Sequence, residues 1–170
     1  MNNQQGMAQS KLLTYIIVII AVILLIFIVS RVPETKTLIN NNHKSSIQSL
    51  SVAIEQANKL VHEQALKNGA AVGVADISVN DISINMLNGS MRATRSALEN
   101  GLDVTFDAKD TIHSAVADWD MDIISATETQ PGQVKVFAPG APENCYLVYT
   151  EAGTEAKPAT ATHVVIDKGC

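Results

Sequence analysis

ETKTLINNNHKSSIQSLSVAIEQANKLVHEQALKNG, residues 34–69, is the stretch that decides the fold. Ile47, Leu50, Ile54, Ala57 and Val61 follow one another at steps of three and four, the spacing that lines apolar side chains along one side of an α-helix. Ala53, Leu60 and Ala65 widen that stripe, and polar Gln48, Ser51, Glu55, Asn58, Lys59 and Glu63 fall largely around the other faces. The pattern predicts a helix with one buried packing face. Asn68-Gly69 supplies its stop, because glycine takes the left-handed conformation that closes a helix. Asn40-Asn41-Asn42 is poor in helix formers and weakens the pattern locally.

Upstream lies LLTYIIVIIAVILLIFIV, residues 12–29, uncharged and held between Lys11 and Arg31. As a helix it reaches roughly 27 Å, enough to cross a thin hydrocarbon core. A secretory signal has a shorter apolar core, about 7–15 residues, and then a small-x-small cleavage site. Here the run ends in Ser30-Arg31-Val32-Pro33, so the residues favour an uncleaved anchor over a removed signal, with membrane lipid as its partner. Lys11 on one side and Arg31, Lys36 and Lys44 on the other do not choose an orientation. The expected organisation is therefore a short leader or cytoplasmic segment (1–11) and a transmembrane helix (12–30). An amphipathic continuation (31–69), bent near Pro33, and a globular head (70–170) follow.

After Gly69 the helical period is lost. Ile77 and Val79, then Ile82, Ile84 and Met86, alternate in a β-like way around Asn80-Asp81. Ser90 is placed to cap a short helix reaching about Leu102, with Ala93, Ala97 and Leu98 inward. Residues 112–119 are a second short helical candidate. Residues 121–126, 133–138, 145–150 and 160–166 carry apolar or β-branched side chains. Gln130-Pro131-Gly132, Pro139-Gly140-Ala141-Pro142 and Glu151-Ala152-Gly153 separate them as turns. Four short strands joined this way give an antiparallel sheet, the natural partner for the Ile47–Val61 stripe. The fold class is α+β: a long N-terminal helix, transmembrane in one half and amphipathic in the other, packed on a four-stranded antiparallel sheet.

The chain's formal charge of −5 and its lack of any basic stripe argue against nucleic acid, whose phosphates need clustered Lys and Arg. The two cysteines, Cys145 and Cys170, read as one disulfide if the head is exported, and as two free thiols if it is cytosolic. Their separation is too wide for a C-x-x-C redox motif, and no further ligands suggest zinc. His43, His62, His113 and His163 are scattered, without metal spacing. Asp103, Asp107, Asp110, Asp118, Asp120 and Asp122 form an acidic region. Asp118-x-Asp120-x-Asp122 lacks the Gly and terminal Glu of an EF-hand loop, and as a strand it would turn all three carboxylates to one solvated face. Asn88-Gly89-Ser90 is formally a glycosylation sequon, better explained as a turn. No G-x-S-x-G, P-loop or G-x-G-x-x-G occurs, so neither an enzyme, a cofactor nor a metal is expected.

Three stretches resemble a type IV pilin, nearest the mannose-sensitive haemagglutinin (MSHA) group. They are Ser45-Ser46-Ile47-Gln48-Ser49-Leu50 through Ala57-Asn58-Lys59-Leu60-Val61; Ala93-Thr94-Arg95-Ser96-Ala97 leading to Ala117-Asp118-Trp119; and Cys145-Tyr146-Leu147-Val148-Tyr149-Thr150-Glu151-Ala152 ending in Gly169-Cys170. The resemblance implies an extracytoplasmic head and assembly with other pilin subunits or pilus assembly proteins. It also implies cell adhesion, with a surface or glycan target. Pilins of this kind have a leader ending in Gly, then Phe-Thr-Leu-Ile-Glu, and are cut after the Gly. Counted back from Pro33, the cut would fall between Lys11 and Leu12. Lys11 stands in place of the Gly, and Ile16 in place of the Glu. A glutamate in lipid is costly unless paired, and the resemblance implies that it pairs with a neighbour's free amine. Ile16 cannot. The expectation is a pilin-like accessory subunit or minor pilin that keeps its anchor in the inner membrane. The alternative is a single-span anchored extracytoplasmic binding domain that does not polymerise. Contact residues are expected in 150–161 and 103–122.

Overall fold

The computed structural model describes residues 32–109, 111, 116–153 and 159–170. The expected anchor at 12–30, with Lys11, Leu12 and Ile16 of the expected degenerate processing site, lies outside them. Among the described residues no helix is long and apolar enough to cross a membrane. Asn40–Cys170 forms one compact unit.

Helix α1 spans Val32–Lys67 and runs unbroken through the three asparagines. It ends where Asn68-Gly69 was expected to stop it. Gly69 takes φ +66°, Gly69 N–H donates to Leu66 O (3.1 Å), and Ala70 N–H donates to Ala65 O (2.9 Å). These paired bonds satisfy carbonyls that the helix end would otherwise leave open. Strands β1 (Val74–Val79) and β2 (Ile82–Leu87) follow as an antiparallel hairpin, and β3 (Ser90–Met91) pairs with β2. Both turns have two residues with positive φ, Asn80 (51°) and Asp81 (66°), then Asn88 (50°) and Gly89 (77°). This is the geometry whose twist matches that of paired strands, and Asn, Asp and Gly tolerate it best.

Helix α2 spans Arg95–Leu102. Its cap is Thr94, whose side chain accepts from Ala97 N–H at 3.4 Å, and Asp103 closes it in the left-handed region. The expected Ser90 cap is thus corrected. Ser90 lies in β3, because the Asn88-Gly89 turn sends the chain back along β2 before a helix can begin. Strands β4 (Phe106–Ala108), β5 (Trp119–Ile124), β6 (Gln133–Phe137), β7 (Tyr146–Thr150) and β8 (Thr162–Ile166) form a second sheet in chain order. The second helix expected at 112–119 is not seen where the chain is described. Trp119 opens β5, while 112–115 lie outside the described residues.

The α+β architecture, a helix packed on β-sheet, stands, but the sheet count does not. There are two sheets, of three and five strands, rather than one of four. The four expected strands are β5 to β8, antiparallel neighbours in the expected order. The fifth, β4, pairs with β5 in parallel, and at three residues it is too short to show any alternation. The β1–β2 alternation builds a separate sheet because its strands are satisfied by local hairpin partners.

One apolar core joins the parts. Ile47, Leu50, Ile54, Ala57, Val61 and Ala65 of α1 lie in a single cluster. Ile77, Ile84, Met86 and Met91 join it from the small sheet, and Met121, Val134, Val136, Leu147 and Tyr149 from the large one. Register explains the second contribution. Met121, Val136, Leu147 and Val165 form one cross-strand row, and Ile123, Val134, Tyr149 and His163 the next on the same face; Met121, Val134, Val136, Leu147 and Tyr149 are buried in the core, while Ile123 at the end of its row is exposed. Burying such side chains contributes about 1.5–3 kcal/mol each.

Candidate functional site

Helix α1 has two unlike faces. Ile47, Leu50, Ile54, Ala57 and Val61 are all buried, so the expected packing stripe is the inner face. Ala65 extends it. Leu60 and Ala53 do not, because each sits about 100° around the helix from its buried neighbour. Leu60 is 54% exposed, Val52 53% and Leu66 59%, so the outer face carries three large apolar side chains among Glu55, Gln56, Lys59 and Glu63. Such side chains stabilise the fold little where they stand, and gain only on contact with another apolar surface.

A polar seam crosses the inner face. Asn58, half-buried on α1, accepts from Met91 N–H at 2.9 Å. The Tyr149 hydroxyl donates to Met91 O at 2.6 Å, with Asn58 Oδ1 a second acceptor at 3.2 Å. One small cluster therefore links the helix, β3 and β7. Burial pushes the Tyr149 hydroxyl well above the ordinary tyrosine range; the Asn58 contact opposes this, and the Glu151 carboxylate adds to it.

Glu151, just past β7, is only 3% exposed. Its Oε2 accepts from Ala93 N–H (2.9 Å) and its Oε1 from Gly132 N–H (3.0 Å), while Arg92 Nε lies 3.5 Å from Oε2. The two amides and the guanidinium offset the cost of burying a carboxylate. A Cβ on Gly132 would stand 2.8 Å from Glu151 Oε1, so only glycine lets the backbone come this close. Glu151-Ala152-Gly153 does interrupt the strands after β7, as expected, but all three residues are buried. Within the expected contact loop 150–161, these three residues are buried, whereas Ala159 and Thr160 are exposed, and 154–158 lie outside the described residues. Nothing in the sequence marks Glu151 as buried, since a Glu before Ala-Gly reads as solvated turn chemistry.

Cys145 and Cys170 are joined, their Cα atoms 4.9 Å apart across a separation of 25 residues. The bridge fastens the approach to β7 to the segment beyond β8, where Gly169 N–H also donates to Asn144 O (2.9 Å). Nearby, Lys44 Nζ of α1 lies 2.7 Å from Asp167 Oδ2 and holds that carboxyl below its usual range.

The acidic region 103–122 is divided among separate tasks. Asp103 caps α2, and the Asp118 carboxylate accepts from Thr105 N–H (2.8 Å) and lies 3.0 Å from its hydroxyl. Asp120 and Asp122 share one face of β5, where Asp122 stands opposite Lys135. Among the described residues no three His, Cys, Asp or Glu side chains gather as a metal site would require. Asn88 of the sequon is half-buried, with its amide oxygen accepting from Gly73 N–H (2.7 Å) and its amide nitrogen donating to Gly153 O. The turn explanation therefore accounts for it. A shallow groove of about 410 Å³ runs along the flank of α1, lined by Ser45, Ser46, Ser49, Leu50, Ala53, Val104 and Trp119. Its lining is mainly apolar, with three serine hydroxyls and no titratable group. Comparison with protein-family models, curated proteins and solved structures finds no match.

Proposed function

We propose that this chain is a structural, pilin-like subunit or minor pilin that acts in pilus assembly and cell adhesion by packing rather than by chemistry. The observation that carries this reading is the two-sidedness of α1. Its inner face closes the head's core, and its outer face keeps Val52, Leu60 and Leu66 exposed for a neighbour. Three further features support it: the apolar stretch 12–29 in the sequence, the antiparallel run β5 to β8 behind the helix, and the Cys145–Cys170 bridge. In this reading residues 12–30 anchor the chain in the inner membrane, 31–69 continue the helix, and the head faces outward. Its partners are lipid, other pilin subunits and assembly proteins, and an adhesive surface or glycan target.

Ile16 and Lys11 favour a second reading, an anchored extracytoplasmic binding domain that never polymerises, because they remove the residues that a pilin uses for processing and register. Shearing cells and probing filament and membrane fractions separates the two. The proposed role expects the protein in both fractions; its confinement to membranes favours the second reading. Mass spectrometry of the mature N-terminus tests retention of the anchor. A chain beginning at Leu12 defeats that part.

A further inference from the structure

Three Asn-Gly pairs occur in the chain: Asn68-Gly69, Asn88-Gly89 and Asn100-Gly101. In such a pair the glycine nitrogen can attack the asparagine side-chain carbonyl carbon, since no side chain shields it. The new C–N bond closes a five-membered succinimide, the C–NH2 bond breaks, and ammonia leaves with the proton from the glycine nitrogen. Water then opens the ring at either carbonyl and leaves isoaspartate or aspartate. The attack needs a mobile side chain and a backbone that can leave its regular conformation, so the fold determines which pair reacts.

Asn88 is anchored at both ends of its amide, to Gly73 N–H and to Gly153 O. Gly89 beside it is buried, with the His62 ring against it. Asn100 lies within α2, where helical geometry turns the Gly101 nitrogen toward the preceding turn. Its side chain donates to Ser83 O at 2.8 Å, and Gly101 packs on Met91. Asn68 differs on every count. It lies just beyond α1, it is exposed, and among the described residues its side chain has no hydrogen-bond partner. Gly69 is exposed too, with no atom within 4 Å of where a Cβ would stand. The bonds that close this helix end belong to a terminal turn, the part of a helix that opens most readily.

We propose that Asn68 is this protein's deamidation site. The product places a carboxylate at the end of α1, where the last carbonyls already gather negative partial charge. Isoaspartate adds a backbone methylene as well, inside the closure made by Gly69 and Ala70. Both changes loosen the joint between α1 and β1.

The test holds the full chain in detergent at mildly alkaline pH and follows the three sites by peptide mapping and mass spectrometry. A parallel sample is unfolded in urea with the disulfide reduced. The expected result is conversion of Asn68 in the folded chain about tenfold or more faster than Asn88 or Asn100, which react only through local opening. In the unfolded chain the three rates converge. The proposal is overturned if Asn88 or Asn100 keeps pace with Asn68 in the folded chain. It is equally overturned if the ranking is the same unfolded, or if folded Asn68 stays intact while unfolded Asn68 converts.

Discussion

The two sheets of the head hold their strands by opposite means. In the three-stranded sheet each strand turns directly into the next, through Asn80-Asp81 and Asn88-Gly89. Its pairing is local and needs only the right turn residues. The five-stranded sheet has longer connections and is closed by distant partners: the Cys145–Cys170 bridge and the carboxylate of Glu151. Asn58, Tyr149 and Met91 then tie the two sheets and α1 into one unit. The fold is therefore vulnerable in two distinct ways. The small sheet depends on backbone conformation, the large one on a few cross-links whose loss is felt far along the chain.

The largest expected effect comes from removing the bridge. Cys145→Ser with Cys170→Ser frees a loop of 25 residues and should destabilise the head by about 3.5 kcal/mol on chain-entropy grounds. Hydrogen exchange should show β7 and β8 losing protection before β1 to β3; a uniform loss would mean that the two sheets do not differ as described. Next is Glu151→Gln, which keeps the size but leaves one buried amide facing an NH2 group. A loss of about 2–3 kcal/mol is expected in urea denaturation, and a change under about 0.5 kcal/mol would show that the Glu151 carboxylate is not a structural link.

Tyr149→Phe is smaller, about 1 kcal/mol at neutral pH, for one hydrogen bond. It carries a pH signature. The folded hydroxyl ionises only well above the ordinary tyrosine range, so the stability it confers is complete below about pH 10 and falls as pH rises further. The slope is at most about 1.4 kcal/mol per pH unit, and the Phe variant should lack it. The smallest effect belongs to Lys44→Ala. Asp167 titrates below its usual range beside Lys44, so this pair helps above the ordinary carboxylate range and is lost as pH falls through the folded value. The variant should lose only that acid-side dependence and remain close to the parent at pH 7, since exposed pairs contribute little.

Much of this architecture was legible in the residues. The three-four spacing from Ile47 to Val61 named the inner face of α1, and the turns at Pro131-Gly132 and Gly140 separated the later strands. Asn68-Gly69 marked the helix end to within a residue. Leu60 lies outside the buried arc although it adjoins Val61, because the apolar stripe in the sequence is broader than the face that packs. Ser90 and Thr94 are both N-cap residue types, and only the path of β3 shows that Thr94 is the one that caps α2.

Periodicity and turn chemistry are written in residues a few positions apart, and by themselves they determined the long helix, its buried side and the later strands. Tertiary structure alone decided that the strands divide into two sheets and that β4 joins in parallel. It alone decided that Glu151 is drawn inside to meet an amide 58 residues away. The physical reason is range. Local spacing records which way a side chain points, whereas desolvating a charge or closing a sheet depends on partners that the chain brings together only when it folds.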